Sequence, residues 1–98
     1  MNQLDEKTQK KIIAIISALI PQAKIYLFGS RARGTNALRA DIDIALDAGK
    51  LLDARDVYEL SCMLKESFIM YDIDIVDLYQ VSDLMRNEIL KDKIIWKH

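Results

Sequence analysis

The chain has 98 residues, 51 % of them hydrophobic and 30 % charged, with 14 basic against 15 acidic side chains and a net charge of −1. That length makes one domain, residues 1–98, able to bury roughly 60–70 % of its unfolded surface, and the composition excludes a disordered tail. The balanced charge gives no global field for a polyanion, so nucleic acid is not expected as a direct partner.

The longest apolar stretch, Ile12 to Ile20, is interrupted by Ser17 and falls well short of the roughly 20 residues of a membrane span. The single cysteine, Cys62, can form no internal disulfide, and no basic n-region with a cleavage site opens the chain. A cytoplasmic protein with no membrane partner is therefore expected.

In chain order, Asp5 to Ile20 carries Ile12, Ile13, Ile15, Ile16, Leu19 and Ile20 at helical spacing behind an acidic first turn, and Pro21 stops the helix. Lys24 to Phe28 is a short β-prone run that ends at Gly29-Ser30. A polar loop is expected from there to Ala40. Asp41 to Leu46 alternates with period two, placing Ile42, Ile44 and Leu46 on one face and Asp41, Asp43 and Ala45 on the other. Asp53, a plausible N-cap, opens a helix reaching about Ile69, with Val57, Leu60, Leu64 and Phe68 as its stripe.

Tyr71 to Leu78 is again strand-like. Ser82 caps a last helix carrying Leu84, Met85, Ile89 and Leu90 toward Trp96. A strand, a helix and a strand predict a parallel pair, whereas the first two strands, joined only by a loop, are expected to be antiparallel. The order αββαβα implies an α/β (α+β) fold with a mixed three-stranded sheet and helices packed on it. Tyr26, Phe28, Phe68 and Trp96 are expected in the core.

Two features carry chemistry together. A glycine at a strand end admits close backbone approach to a bulky anion, and amides with a serine hydroxyl can bind phosphate oxygens, which makes Gly29 and Ser30 candidates for a polyphosphate. Asp41 and Asp43, two apart on a strand, point the same way roughly 7 Å apart and can share a hard cation such as Mg²⁺. The third strand adds Asp72, Asp74 and Asp77. Asp74 lies in mid-strand on the face opposite Ile73 and Ile75, Asp72 lies at the entrance, and Asp77 falls on the apolar face. Taken singly, each feature is commonplace: a turn, a solvated strand face, an exposed acid. An EF-hand is excluded by Ala45 with no glycine after it, and a Walker P-loop by the absence of Lys and Ser or Thr after Gly34.

Read continuously, Leu27-Phe28-Gly29-Ser30-Arg31-Ala32-Arg33-Gly34, six residues, then Asp41-Ile42-Asp43-Ile44 resembles the hallmark of the DNA polymerase β-like nucleotidyltransferase superfamily. The Gly-Ser-x-Ala-Arg-Gly form is similar to the minimal nucleotidyltransferases, antitoxin partners of HEPN toxins. Ile73 to Leu78 resembles the segment holding the third carboxylate. The resemblance implies ATP as substrate, contacts to it from Gly29, Ser30 and Arg33 or Arg31, and two Mg²⁺ ions on Asp41, Asp43 and Asp74. Asp74 would also help activate the acceptor hydroxyl. Ala40 stands where many relatives have serine.

The resemblance further implies transfer of AMP to a tyrosine of a HEPN-domain protein encoded nearby, in an assembly that can be oligomeric. A non-catalytic module that silences the toxin by occlusion is the alternative, and a small-molecule nucleotidyltransferase a third.

Overall fold

The computed structural model describes residues 4–98. The first helix, α1 (Glu6–Leu19), starts where expected: Asp5 caps it by accepting from the Thr8 amide, and Ile20 closes it ahead of Pro21. Strand β1 (Lys24–Phe28) follows, then a short helix α2 (Gly29–Arg33) where a polar loop was expected. Gly34 ends α2 in the left-handed region (φ 76°), its amide bonding the Arg31 carbonyl, a glycine C-cap of the ordinary kind.

Strand β2 is Ile42–Asp47, so Asp41 lies just outside it. Helix α3 (Ala54–Lys65) is capped by Asp53, as the sequence suggests, but stops short of Ile69. Strand β3 is Ile73–Asp77, and α4 (Asp83–Asp92) is capped by Ser82.

The chain then departs from the expected long last helix. Lys93 leaves helical geometry, and Ile94–Lys97 forms a fourth strand, β4. The reason lies in its composition: Ile94-Ile95-Trp96 is β-branched and aromatic, and β1 offers it a free edge. Lys97 fastens the end of β4 by donating to the Pro21 carbonyl (2.8 Å) and the Ser17 hydroxyl (3.2 Å) beside the C-terminus of α1.

The sheet therefore has four strands in the order β3-β2-β1-β4, not three. Strand β1 pairs antiparallel with β2 and with β4, while β2 pairs parallel with β3 across the α3 crossover. Helices α1 and α3 cover one face. Ile12, Ile16, Leu60 and Leu64 pack there against Ile25, Leu27, Ile42, Ile44 and Leu46. Burial of this many aliphatic side chains, each contributing about 1.5–3 kcal/mol, is the principal stabilising term.

The other face is covered less completely. Tyr26, Ala45, Leu78 and Ile89 form a small second cluster under α4. Of the expected apolar stripe of α4 only Ile89 is buried; Leu84 is 76 % exposed, and Met85 and Leu90 also face solvent. Phe68, expected in the core, is 94 % exposed, because α3 ends before it and it adopts a left-handed φ of 60° in the turn that follows. Trp96 is half-buried against the main core. Among the described residues no helix is long and apolar enough to cross a membrane.

Candidate active site

The site forms on the less covered face, where β1, β2 and β3 lie side by side. Antiparallel register sets Phe28 against Asp43, and parallel register sets Asp43 against Asp74. Adjacent strands run about 4.8 Å apart, so side chains on one face at matched positions are near neighbours. The topology thus brings together Gly29, next after Phe28, with Asp43 and Asp74. Asp41 precedes Ile42, whose amide donates to the Asp72 carbonyl (2.9 Å) and opens the β2–β3 ladder. Asp41, Asp72 and Asp74 are exposed, and Asp43 is half-buried.

Gly29 is required here twice over. Its φ of 75° belongs to the region side chains avoid, and a Cβ at this position would stand 2.3 Å from Asp43 Oδ2. The glycine therefore leaves the space that the Asp43 carboxylate occupies. Ser30 follows within the first turn of α2, half-buried.

Electrostatics single out Asp43. Burial pushes its pKa up, the nearby Asp74 and Asp41 carboxylates push it further, and Arg33 and Arg31 partly oppose them. Two carboxylates about 5 Å apart repel by up to about 3 kcal/mol at an effective dielectric of about 20, and water around exposed Asp74 reduces that. A cation placed between them would turn the repulsion into attraction. Among the described residues no group of three or more Asp, Glu, His or Cys side chains is gathered closely enough to hold a metal ion, so of the expected set Asp41, Asp43 and Asp74 only Asp43 and Asp74 stand at matched positions. An all-oxygen set with open positions suits Mg²⁺, which is ordinarily held by one or two carboxylates together with substrate phosphates and water.

The remaining expected residues separate. Arg33 is exposed and paired with Asp92 of α4 at 3.1 Å, on the wall of a cleft of about 210 Å³ that opens beside Gly29 and Phe28 under Met85 and Ile89. Arg31 is 4 % exposed and turned inward, so it is no surface charge. Asp77, on the apolar face, is equally buried and accepts from the amides of Leu52 (2.8 Å) and Tyr79 (2.9 Å), a structural acid that holds two loops. A larger cleft of 340 Å³ lies on the α3 side of the sheet, against Lys65, Ile69 and Tyr71, away from Asp43.

Sequence reasoning missed α2 and the inward course of Arg31. Gly34 was the available signal for the first, as a C-cap glycine one turn after Ser30.

The comparisons agree with this fold. Residues 10–98 match the family model of the polymerase beta nucleotidyltransferases. The chain is 38 % identical over 98 residues to the protein adenylyltransferase MntA of Shewanella oneidensis, covering 98 % of this chain and 68 % of that protein. Among solved structures, a toxin–antitoxin crystal structure with AMP-PNP superposes with a TM-score of 0.77 at 34 % identity, covering 90 % of this chain and 71 % of that one.

A complex of the tri-AMPylated Shewanella oneidensis HEPN toxin with its MNT antitoxin gives a TM-score of 0.75 at 30 % identity, covering 95 % and 71 %. The chain belongs to the polymerase β nucleotidyltransferase family. It is a nucleotidyltransferase with the minimal fold of that family.

Proposed function

We propose that this enzyme transfers AMP from ATP to a hydroxyl of a partner protein, a tyrosine of a HEPN toxin, and thereby acts as the antitoxin. The observation that carries the proposal is the register of Asp43 against Asp74 beside the Gly29-Ser30 turn, in a chain similar to a protein adenylyltransferase. The tri-AMPylated toxin in the related complex names the acceptor class. The proposed place of action is the cytoplasm.

In this reading Gly29 and Ser30 receive the triphosphate, Arg33 adds positive charge at the mouth of the adjoining cleft, and the cleft offers the nucleotide its space. Asp41 and Asp43, joined by Asp74, would hold two Mg²⁺ ions. When bound, such ions neutralise phosphate charge and stabilise the attacking and leaving oxygens of an in-line displacement.

Asp74, exposed beside Asp43, is open to an incoming hydroxyl and would take its proton. The hydroxyl oxygen bonds to the α-phosphorus, the bond from that phosphorus to the bridging oxygen breaks, and pyrophosphate leaves. The fold's contribution is to fix these groups before the substrate arrives.

The test incubates the protein with the HEPN protein encoded beside it, ATP labelled at the α-phosphate and Mg²⁺, comparing wild type with Asp41→Asn plus Asp43→Asn. Label on the toxin that disappears with the double variant is the expected result. Intact binding to the toxin with no label would overturn the transfer reading and favour silencing by occlusion.

A further inference from the structure

A buried arginine demands explanation, because an ionised side chain is rarely taken out of water unless its donors are matched. Arg31 donates from Nε (3.2 Å) and Nη2 (2.8 Å) to the Ala40 carbonyl. Its guanidinium also lies over the Tyr71 ring, 4.6 Å from the centroid. These two partners are not arbitrary positions. Ala40 immediately precedes Asp41, and Tyr71 lies three residues before Asp74, at the approach to β3.

Asp41 stands outside β2, so the ladder holds it from one side only, through the Ile42 amide on the Asp72 carbonyl at 2.9 Å. On its other side the chain arrives from residues 35–40, which contain no regular element. Within that segment the Ala40 amide donates to the Ala37 carbonyl (3.2 Å), and the Arg31 bonds to the Ala40 carbonyl are what tie Ala40 to α2. Asp43 is different: it lies inside β2 and is fixed by pairing with β1 and β3.

We infer that Arg31 is a positioning residue for the transfer reaction, a clamp from α2 that fixes the backbone before Asp41 and ties it to the approach of the Asp74 strand. The inference rests on the adenylyl-transfer reading for its catalytic consequence and not for its structural one. It reassigns Arg31 from phosphate contact to organisation of the carboxylates. Phosphate contact by Arg33, whose guanidinium is exposed, is unaffected. A planar guanidinium can meet a carbonyl with two donors while stacking on a ring; an ammonium cannot do both.

The test uses the full chain with Arg31→Met and Arg31→Lys, each checked for folding by thermal melting. Hydrogen exchange at the Ala40 and Ile42 amides should accelerate at least about 10-fold in Arg31→Met, with Arg31→Lys between, while the β1 amides keep their protection. In label transfer, kcat should fall about 10- to 100-fold and the Mg²⁺ concentration for half-maximal rate should rise, with KM for ATP within about threefold of wild type, because a displaced ligand costs chemistry more than nucleotide binding.

Unchanged exchange at Ala40 and Ile42 would overturn the clamp. So would a loss of rate no larger than the loss of folded protein. If wild type itself transfers no label, the adenylyl-transfer reading fails by itself. Exchange and Mn²⁺ affinity, titrated with a non-hydrolysable ATP analogue, then decide the clamp: weaker Mn²⁺ binding in Arg31→Met supports it, and equal binding overturns it.

Discussion

The two faces of the sheet are built from the same strands by opposite rules. On the face covered by α1 and α3, every strand contributes aliphatic side chains to one dry core, with Ile12, Ile16, Ile42, Ile44 and Leu60 fully buried. On the other face a single helix, α4, covers a small cluster around Tyr26, Ala45 and Ile89, and the uncovered part carries Asp43 and Asp74 side by side. The first face yields stability; the second keeps like charges close and part-desolvated, an arrangement that weakens the fold unless a cation occupies it. In a small domain function and stability have been separated by the period-two alternation of the strands.

Substitutions on the two faces should therefore separate in what they damage. The largest effect is expected from Asp43→Asn, which should reduce label transfer by at least about 10³-fold, the scale of losing several kcal/mol of charge stabilisation, while the melting temperature holds or rises. Ile16→Ala should do the reverse: a destabilisation of about 2–5 kcal/mol in urea unfolding, with activity per folded molecule retained.

Gly29→Ala tests the contact between the faces' edge and the phosphate turn. Its Cβ would displace the Asp43 carboxylate, and transfer should drop on the order of 100-fold with about 1–2 kcal/mol of stability lost to the left-handed φ. Asp77→Ala, on the same strand as Asp74 but on the apolar side, should cost about 2–3 kcal/mol by leaving the Leu52 and Tyr79 amides unpaired. Asp74→Asn removes the other charge of the repelling pair, so the melting temperature should hold or rise, which sharpens the contrast with Asp77→Ala within one strand.

The smallest effect concerns pH. Asp43 has its pKa raised in the fold, so between its ordinary and its raised value the folded state binds more protons than the unfolded state. Its contribution to stability therefore falls as pH rises through that window. Urea midpoints of wild type and Asp43→Asn should differ more at pH 7 than at pH 4, the variant being relatively more stable at the higher pH. An equal difference at both values would contradict the charge repulsion assigned to this face.

Much of this division was legible from residues alone. The alternation in Asp41 to Leu46 and in Tyr71 to Leu78 sorted acids from aliphatics, and the length of the α3 crossover dictated the parallel pairing that aligns Asp43 with Asp74. The Asp43–Asp74 pair follows from those patterns, whereas the close approach of the Asp43 carboxylate to Gly29 does not.

What was not legible depended on tertiary competition. Ile94-Ile95-Trp96 is a short apolar run behind the charged Lys91-Asp92-Lys93, and only the free edge of β1 makes it a strand. Phe68 has the spacing of the α3 stripe, but the helix ends at Lys65 and the side chain faces water. Arg31 and Arg33 are equivalent in the motif; their separate fates arise because α2 turns one toward Ala40 and Tyr71 and the other toward Asp92.

The most direct test of the division is calorimetric titration of a non-hydrolysable ATP analogue into wild type and Asp43→Asn, each with and without Mg²⁺. Binding to wild type that requires Mg²⁺, and that weakens at least about tenfold in the variant, is the expected result, since tenfold corresponds to about 1.4 kcal/mol of lost cation-mediated attraction. Binding of equal strength in both proteins, or binding indifferent to Mg²⁺, would contradict the assignment of this face to a metal-bound nucleotide.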